Sequence, residues 1–338
     1  MLNNTYGIEI ECYLPEGGTQ AGAAAAITAR LAGAGICQVE NYNHQVRGHW
    51  KIVTDGSLGD YIRGMEVVSP ILTGQEGLDA ITKVMDAMAD YGCTVSKKCG
   101  LHIHVGVAGQ PIGFFRSLTK LYGGFERVID AFIPPSRRGS TNGYCRSVTH
   151  LDAAQIDRAD SLDDLIRLMG RAGDARNYKL NLTAYRRHTT VEFRHHTGTV
   201  DARKATAWAK LCLRMVEAAK AGRALGPASG GANQAKPGSK SHLIGQMMRR
   251  ADGVSGREAM AAAGWPSVSL PQQARACGMA FTTRRFGREV RYYAVAATTT
   301  GIGATLDGLF EMLDCPADER DYFRARTAGL SGPTAWAA

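Results

Sequence analysis

The chain has 338 residues, 44% of them hydrophobic, which suits one large domain or two and excludes a small fold that depends on disulfides. A formal charge of +9 favours polyanionic partners, nucleotides and nucleic acid among them, without selecting one. The eight cysteines include no C-x-x-C pair, which excludes zinc-ribbon and thioredoxin motifs and leaves them as small buried hydrophobes in a reducing compartment.

The first predicted strand is Tyr6–Tyr13, where apolar and polar residues alternate. No basic start followed by an apolar stretch precedes it, so no secretory leader is expected and a cytoplasmic location is. No uncharged apolar run approaches ~20 residues, so no membrane span is expected either. The Ala-rich segment Thr19–Ala34 predicts a helix closed by Gly33 and Gly35. Trp50–Thr54 predicts a short strand turned by Asp55-Gly56-Ser57, with Asp55 read as a turn former. Gly64–Val68 predicts another, stopped by Ser69-Pro70. A helical repeat runs over Gly77–Tyr91, a strand over Leu101–Val107, and helices over Phe114–Phe132 and Ser161–Met169. Leu180–Tyr185 and Thr190–His195 predict paired strands around Arg186-Arg187-His188, and Asp201–Lys220 a long helix.

Three of these strands carry polar pairs at two-residue spacing: Glu9 and Glu11, His102 and His104, Glu192 and Arg194. Residues i and i+2 share one face of a strand, so each pair presents two polar heads while Ile, Val or Phe pack behind. Such a face is costly unless it holds cations and anions. Mg²⁺ and Mn²⁺ take oxygen ligands, so Glu9 and Glu11 could hold one ion each, with Glu66 in GMEVVSP and Glu192 as further carboxylates. His102 is the expected imidazole ligand, and His104 lies one step along to contact a phosphoryl oxygen. Arg194 can fork onto a carboxylate or phosphate. Lys179, Arg186, Arg137, Arg138 and Arg146 are a reserve of cations.

The motifs YGIEIE, TDGSL, MEVVSPIL, CGLHIHVG, PPSRRGSTNGYCRS, NYKLNLTAY and TTVEFRHHTGTVD, in that order, resemble the putative amidoligase family over roughly residues 5–220. That family belongs to the carboxylate–amine ligase superfamily of glutamine synthetase and glutamate–cysteine ligase. The resemblance implies an α+β fold, a curved, mainly antiparallel sheet backed by helices, with ATP and two or more Mg²⁺ on the concave face. It implies that Glu9, His102 and Glu192 hold one ion, and Glu11 with Glu66 a second. It further implies that His104 and Arg194 contact the transferred phosphoryl group, with Lys179 and Arg146 as further nucleotide-binding residues. Arg194, His104 and Glu66 then carry the chemistry: ATP converts a carboxylate to an acyl phosphate, which an amine attacks. A small-molecule phosphotransferase on the same fold, or a nucleic-acid-binding protein without catalysis, are the alternatives. The acid and amine could be small molecules, peptides or a modified base. Relatives include large rings, and an oligomer stays open.

The Gly-, Ala-, Pro- and Ser-rich stretch 221–240 reads as a linker after a catalytic domain over 1–220. Residues 241–298 then predict helices at Ser241–Arg250 and Ser255–Ala263 and from Pro266 to Cys277. A hairpin of Met279–Thr283 and Val290–Val295 around RRFGRE follows, the outline of a winged helix-turn-helix. Its excess of arginine makes nucleic acid a candidate partner. Pro271 inside the third helix argues against a long recognition helix. Residues 299–338 complete the chain as a helical tail, with a helix expected over Ile302–Leu313.

Overall fold

The computed structural model describes residues 4–170, 173–223, 238–250, 252–277, 280–287, 289–295 and 306–327. Two compact units emerge: Met1–Arg223 together with Leu313–Ala338, and Ala224–Met312. Most of the predicted linker, and residues 302–305 of the predicted tail helix, lie outside the described residues.

The first unit is a mixed α/β fold on one seven-stranded sheet. Its strands are β1 (Tyr6–Tyr13), β2 (Cys37–Val39), β3 (Trp50–Val53), β4 (Gly64–Val68), β5 (Gly100–Gly106), β6 (Leu180–Asn181) and β7 (Thr190–Thr197). They lie in the order β2-β3-β4-β1-β5-β7-β6, and only β2 and β3 run parallel. β1 is central because Ile8, Ile10 and Cys12 alternate with Glu9 and Glu11, which fixes an apolar face and a polar face. Ile8 and Ile10 are fully buried, and each such side chain stabilises the fold by about 1.5–3 kcal/mol.

Four long helices form the layer behind: α1 (Gln20–Leu31), α2 (Gly74–Asp90), α3 (Ile112–Asp130) and, after the short α4 (Ala153–Asp157), α5 (Leu162–Met169) and α6 (Tyr185–His188), α7 (Ala202–Lys220). α1 packs on α2, α2 on α7 and α7 on α3. Ile81, Val84, Met85 and Met88 of α2 and Trp208, Leu211 and Met215 of α7 are buried, as the helical spacing predicts. Local chemistry sets the ends. The Thr19 hydroxyl accepts from the Gly22 N–H, the Ser161 hydroxyl from Asp164, and the Asp201 carboxylate from Arg203 and Lys204. Each such cap is worth about 1 kcal/mol.

One local expectation fails for an identifiable reason. The predicted strand Leu180–Tyr185 stops at Asn181, whose Oδ1 accepts from the Thr183 N–H at 2.9 Å and hydroxyl at 2.6 Å. That side-chain turn competes with the ladder and starts α6 instead. Thr189, at φ +53°, then turns the chain into β7.

In the second unit, α8 (Lys240–Met248), β8 (Val254–Ser255), α9 (Gly256–Ala263), α10 (Leu270–Ala276), β9 (Ala280–Phe286), β10 (Glu289–Val295) and α11 (Leu306–Met312) follow in order. The strands form a sheet β8-β10-β9. Ile244, Met247, Met248, Val254, Ala259, Ala263, Leu270 and Ala274 make its core, with Trp265 and Tyr292 against it. α10 begins at Leu270, so Pro271 sits in the first turn, where its missing N–H costs nothing. The expectation of an internal proline is thus corrected. The last helix, α12 (Ala317–Thr327), returns to the first unit. Arg214 forks onto Glu319 at 2.7 and 3.0 Å, and the rings of Phe132 and Phe323 lie 4.8 Å apart. No helix among the described residues is long and apolar enough to cross a membrane.

Candidate active site

The register of the sheet brings the three polar pairs together. Glu11 sits opposite Glu66 on β4, Glu9 opposite His102 on β5, and His104 opposite Glu192 on β7. All six side chains, with Arg194, line one cavity of about 1,090 Å³.

Two ligand sets result. Glu9, His102 and Glu192 form one; Glu11, Glu66 and His102 form the other, each with its ligand atoms within 4.8 Å of one another. His102 Nδ1 lies 3.1 Å from Glu9 and 3.5 Å from Glu192, while Nε2 faces Glu11 at 3.6 Å. A Cβ added at Gly100 would come within 2.5 Å of Nε2. The two ring nitrogens thus face different sets, Nδ1 the first and Nε2 the second. The Gly100 N–H donates to Glu11 Oε2 at 2.6 Å, and Asn181 Nδ2 donates to Glu192 Oε2 at 2.6 Å, so both carboxylates are aimed by outer partners. Replacing Gly100 by Ala should drive His102 off this position. Mn²⁺ affinity, read by electron paramagnetic resonance, is expected to fall about 10–100-fold; unchanged affinity would show that His102 is not a ligand.

Electrostatics fit cation binding. Burial opposes ionisation of Glu9, yet His104 and His102 together hold its carboxyl well below the usual range. Burial likewise opposes ionisation of Glu192, and Arg194 beside it prevails. Glu66 goes the other way: burial, then Glu9, Glu11 and Asp55, push it well above the ordinary carboxylate value. A divalent ion between these groups would remove that repulsion. Burial lowers His104, but Glu9 and Glu192 outweigh it and its basicity rises. Its Nδ1 is 3.0 Å from the Thr190 hydroxyl, while Nε2 is buried without a hydrogen bond and faces the cluster. Oxygen-rich donors around one imidazole, with an orphaned ring nitrogen beside them, fit Mg²⁺ or Mn²⁺.

Cations ring the cavity at both ends of β1. Lys97, Lys98 and Arg137 flank the Glu11 end, where β5 begins; Arg186, Arg187 and His188 flank the end where β7 begins. His44 arrives on a loop held by Lys51, whose ammonium binds Asn43 Oδ1 and the Gln45 carbonyl, each at 2.8 Å. A side chamber of about 370 Å³ shares Glu9, Glu66, His44, His104 and His188 with the main cavity. Val46, Val68, Pro70 and Ile71 give it apolar walls.

Arg137, Arg186 and Asn142 line the cavity, and so does Asp55, which also caps a 3-10 turn through the Ser57 N–H. Two expected nucleotide-binding residues, Arg146 and Lys179, do not, and neither does Arg138 of the cation reserve. Arg146 pairs with Asp174 at 3.5 Å, and Arg138 donates to the Ile133 carbonyl at 2.7 Å; neither lines the cavity. Lys179 is fully buried, its ammonium 2.8 Å from both Glu126 and Asp130 on α3. The family resemblance implied Lys179 for the nucleotide, but here its ammonium is paired with two carboxylates. Sequence reasoning missed Asn181, His44, His188, Arg176, Arg187 and the Lys97-Lys98 pair. Only the last carried a signal, lying directly before the H-x-H strand.

Behind the site, Glu126 accepts from the Val148 N–H at 2.8 Å and Asp130 from the Gly139 N–H at 3.1 Å, tying the 134–149 loop to α3. Asp130 also meets His195 Nε2 at 2.7 Å, and His195 Nδ1 lies 2.8 Å from the Tyr122 hydroxyl. Burial, aided by Lys179 and opposed by Asp130, brings His195 down to about 4. The ring is therefore neutral, with Nε2–H donating to Asp130. The unfolded chain takes up this proton below pH ~6.5 while the native state refuses it until about 4. Stability is thus present in full above that window and falls as pH drops through it, by on the order of 3 kcal/mol. Urea unfolding at pH 7.5, 5.5 and 4.5 measures this. A flat profile, or one unchanged in His195→Asn, would overturn it.

No curated protein matches the chain. A family model does, over residues 2–216, the same span that builds the sheet, both ligand sets and the cavity, and the chain belongs to the family it defines, described as Putative amidoligase enzyme.

Proposed function

We propose that this chain is an ATP- and Mg²⁺-dependent carboxylate–amine ligase on a glutamine-synthetase-like catalytic fold, acting through an acyl phosphate. The observation that carries this reading is the pair of ligand sets, Glu9–His102–Glu192 and Glu11–Glu66, on one sheet face beside Arg194. The divalent ions would neutralise the triphosphate and the transferred phosphoryl group. His104 and Arg194 meet the same phosphoryl oxygens from the protein side, the imidazole Nε2 and guanidinium donating to charge that grows in transfer. The apolar-walled side chamber suits the base of the nucleotide, which leaves the Glu11 end for the acid.

A carboxylate oxygen of the acid attacks the γ-phosphorus, and the bond to the β-phosphate oxygen breaks. The amine nitrogen then attacks the acyl carbon, the C–N bond forms, and phosphate leaves with its oxygen. The amine sheds a proton on the way; Asp55 and Glu66 are the carboxylates at that end. Purified protein with ATP, Mg²⁺ and pooled amino acids, read by mass spectrometry, tests this. A product lighter than its two parents by one water supports the ligase. A stable phosphorylated product without an amide would assign phosphotransfer on the same site.

The second unit is proposed as a winged helix-turn-helix that binds nucleic acid, in a cytoplasmic protein. Its support is a three-helix core with a β9–β10 hairpin on which Arg284 and Arg285 are exposed, and further exposed cations at Lys240, Arg249, Arg250 and Arg257. Binding of duplex DNA that weakens steeply with salt, and drops in Arg284→Ala/Arg285→Ala, is the expected result. Salt-independent binding, or none, removes the proposal.

A further inference from the structure

The two ends of the cavity are not equivalent, and the Glu11 end gathers three cations, Arg137, Lys97 and Lys98, that form no ion pair among the described residues although Glu11, Glu66 and Asp55 line the same end. Arg137 is 3% exposed, yet it makes no ion pair among the described residues. Its Nη1 and Nη2 donate to the Arg194 and Lys98 carbonyls, at 3.4 and 3.2 Å, its guanidinium also meets the Cys145 thiol, and its Nε has no partner. Lys179 is matched by Glu126 and Asp130 and the part-buried Arg194 by Glu192, while the buried Lys51 is met by three oxygens of Asn43 and Gln45. An unmatched buried guanidinium is costly, and planar anions are its natural partners. Lys97 makes no ion pair among the described residues, and Lys98 reaches only the Leu58 carbonyl, at 3.4 Å.

These cations lie next to the second ligand set. A Cβ on Gly100 would stand 3.2 Å from Arg137 Nη2, and the same Gly100 holds Glu11 through its N–H. The cavity wall agrees in character. Ala184 is the one aliphatic side chain among the described residues that line the main cavity, and no Val, Leu, Ile, Met or Phe does. An apolar acid would gain no burial there. One carboxylate, already met at the second ligand set, does not account for three further cations.

Resting on the ligase reading, we infer that the acid substrate is a small, hydrophilic polyanion, and that Arg137, with Lys97 and Lys98, binds an anionic group of it other than the carboxyl that reacts. Arg137 is then the specificity-determining residue for the acid.

Calorimetric titration of the full chain tests this, with Mg²⁺ alone and with Mg²⁺ plus ADP. The probes are succinate and 3-phosphonopropionate against butyrate and hexanoate. Both dianions are expected to bind at least about tenfold tighter than butyrate, with hexanoate no better than butyrate. The order of the two dianions tells a carboxylate from a phosphoryl group as the second anion. Arg137→Met should erase the preference, Arg137→Lys should keep part of it, and Lys97→Ser/Lys98→Ser should cut it severalfold. Equal binding of succinate and butyrate, or tightest binding of hexanoate, overturns the inference. So does a full preference surviving in the variants. If Arg137→Met does not fold, the exposed Lys97/Lys98 pair decides alone. Because the readout is binding, a dianion preference without any amide product would sink the ligase reading and leave this subsite standing; an amide formed from a monoanionic acid would do the reverse.

Discussion

Glu9→Gln is expected to lower turnover at least about 100–1000-fold while leaving the fold intact. The substitution keeps shape and removes charge at the centre of the cluster, where Glu9 meets His102 at 3.1 Å and His104 at 3.4 Å. The amide oxygen is a poorer ligand, so Mn²⁺ affinity should fall with activity, about 10–100-fold. Folding stability should hold or rise, because Glu9 is a neighbour that drives the Glu66 carboxyl up. That split separates loss of a ligand from loss of structure. Arg146→Gln is the control. Arg146 pairs with Asp174 outside the cavity and should keep activity within about twofold. Turnover by Glu9→Gln at the rate of the unaltered protein would sink the assignment of the site.

Lys179→Met is expected to cost about 3–5 kcal/mol of stability, because it strands one buried and one partly buried carboxylate. Glu126 is 1% exposed and Asp130 is partly buried, and both hold backbone N–H groups of the 134–149 loop. His195 offers a partial remedy. Burial and Lys179 hold that ring neutral; without Lys179, Asp130 would draw a proton onto it. The loss should therefore be largest near pH 8 and shrink toward pH 6, where a proton is available to His195. Urea midpoints at both values measure it. A loss under about 1 kcal/mol, or one independent of pH, would mean that the triad is not holding its charges as described.

The site was more legible than its setting. Glu9, Glu11, His102, His104, Glu192 and Arg194 declare themselves because a period-two pattern fixes which face each side chain takes. Antiparallel neighbours then need only align, and Glu9 with His102 and His104 with Glu192 do. What failed to show is what the chain supplies from a distance. Lys179 sits beside the same strands as Asn181, but its direction depends on two acids of α3 some fifty residues earlier in the chain. His44 reaches the cavity on a loop that no local pattern aims. β2 is only three residues long and is defined by its parallel partner, not by its own sequence. The return of α12 rests on Glu319 meeting Arg214 and Phe323 meeting Phe132, contacts across more than a hundred residues.

That return has a consequence for how the protein is made. Arg223, the last residue before the second unit, pairs with Asp314, just after it, so the chain leaves and re-enters the first unit at one spot. The second unit is therefore an insert between two touching ends, the arrangement most tolerant of excision or exchange. During synthesis the first unit waits: its α7 surface stays uncovered until α12 has emerged, long after the sheet and its ligands have been translated.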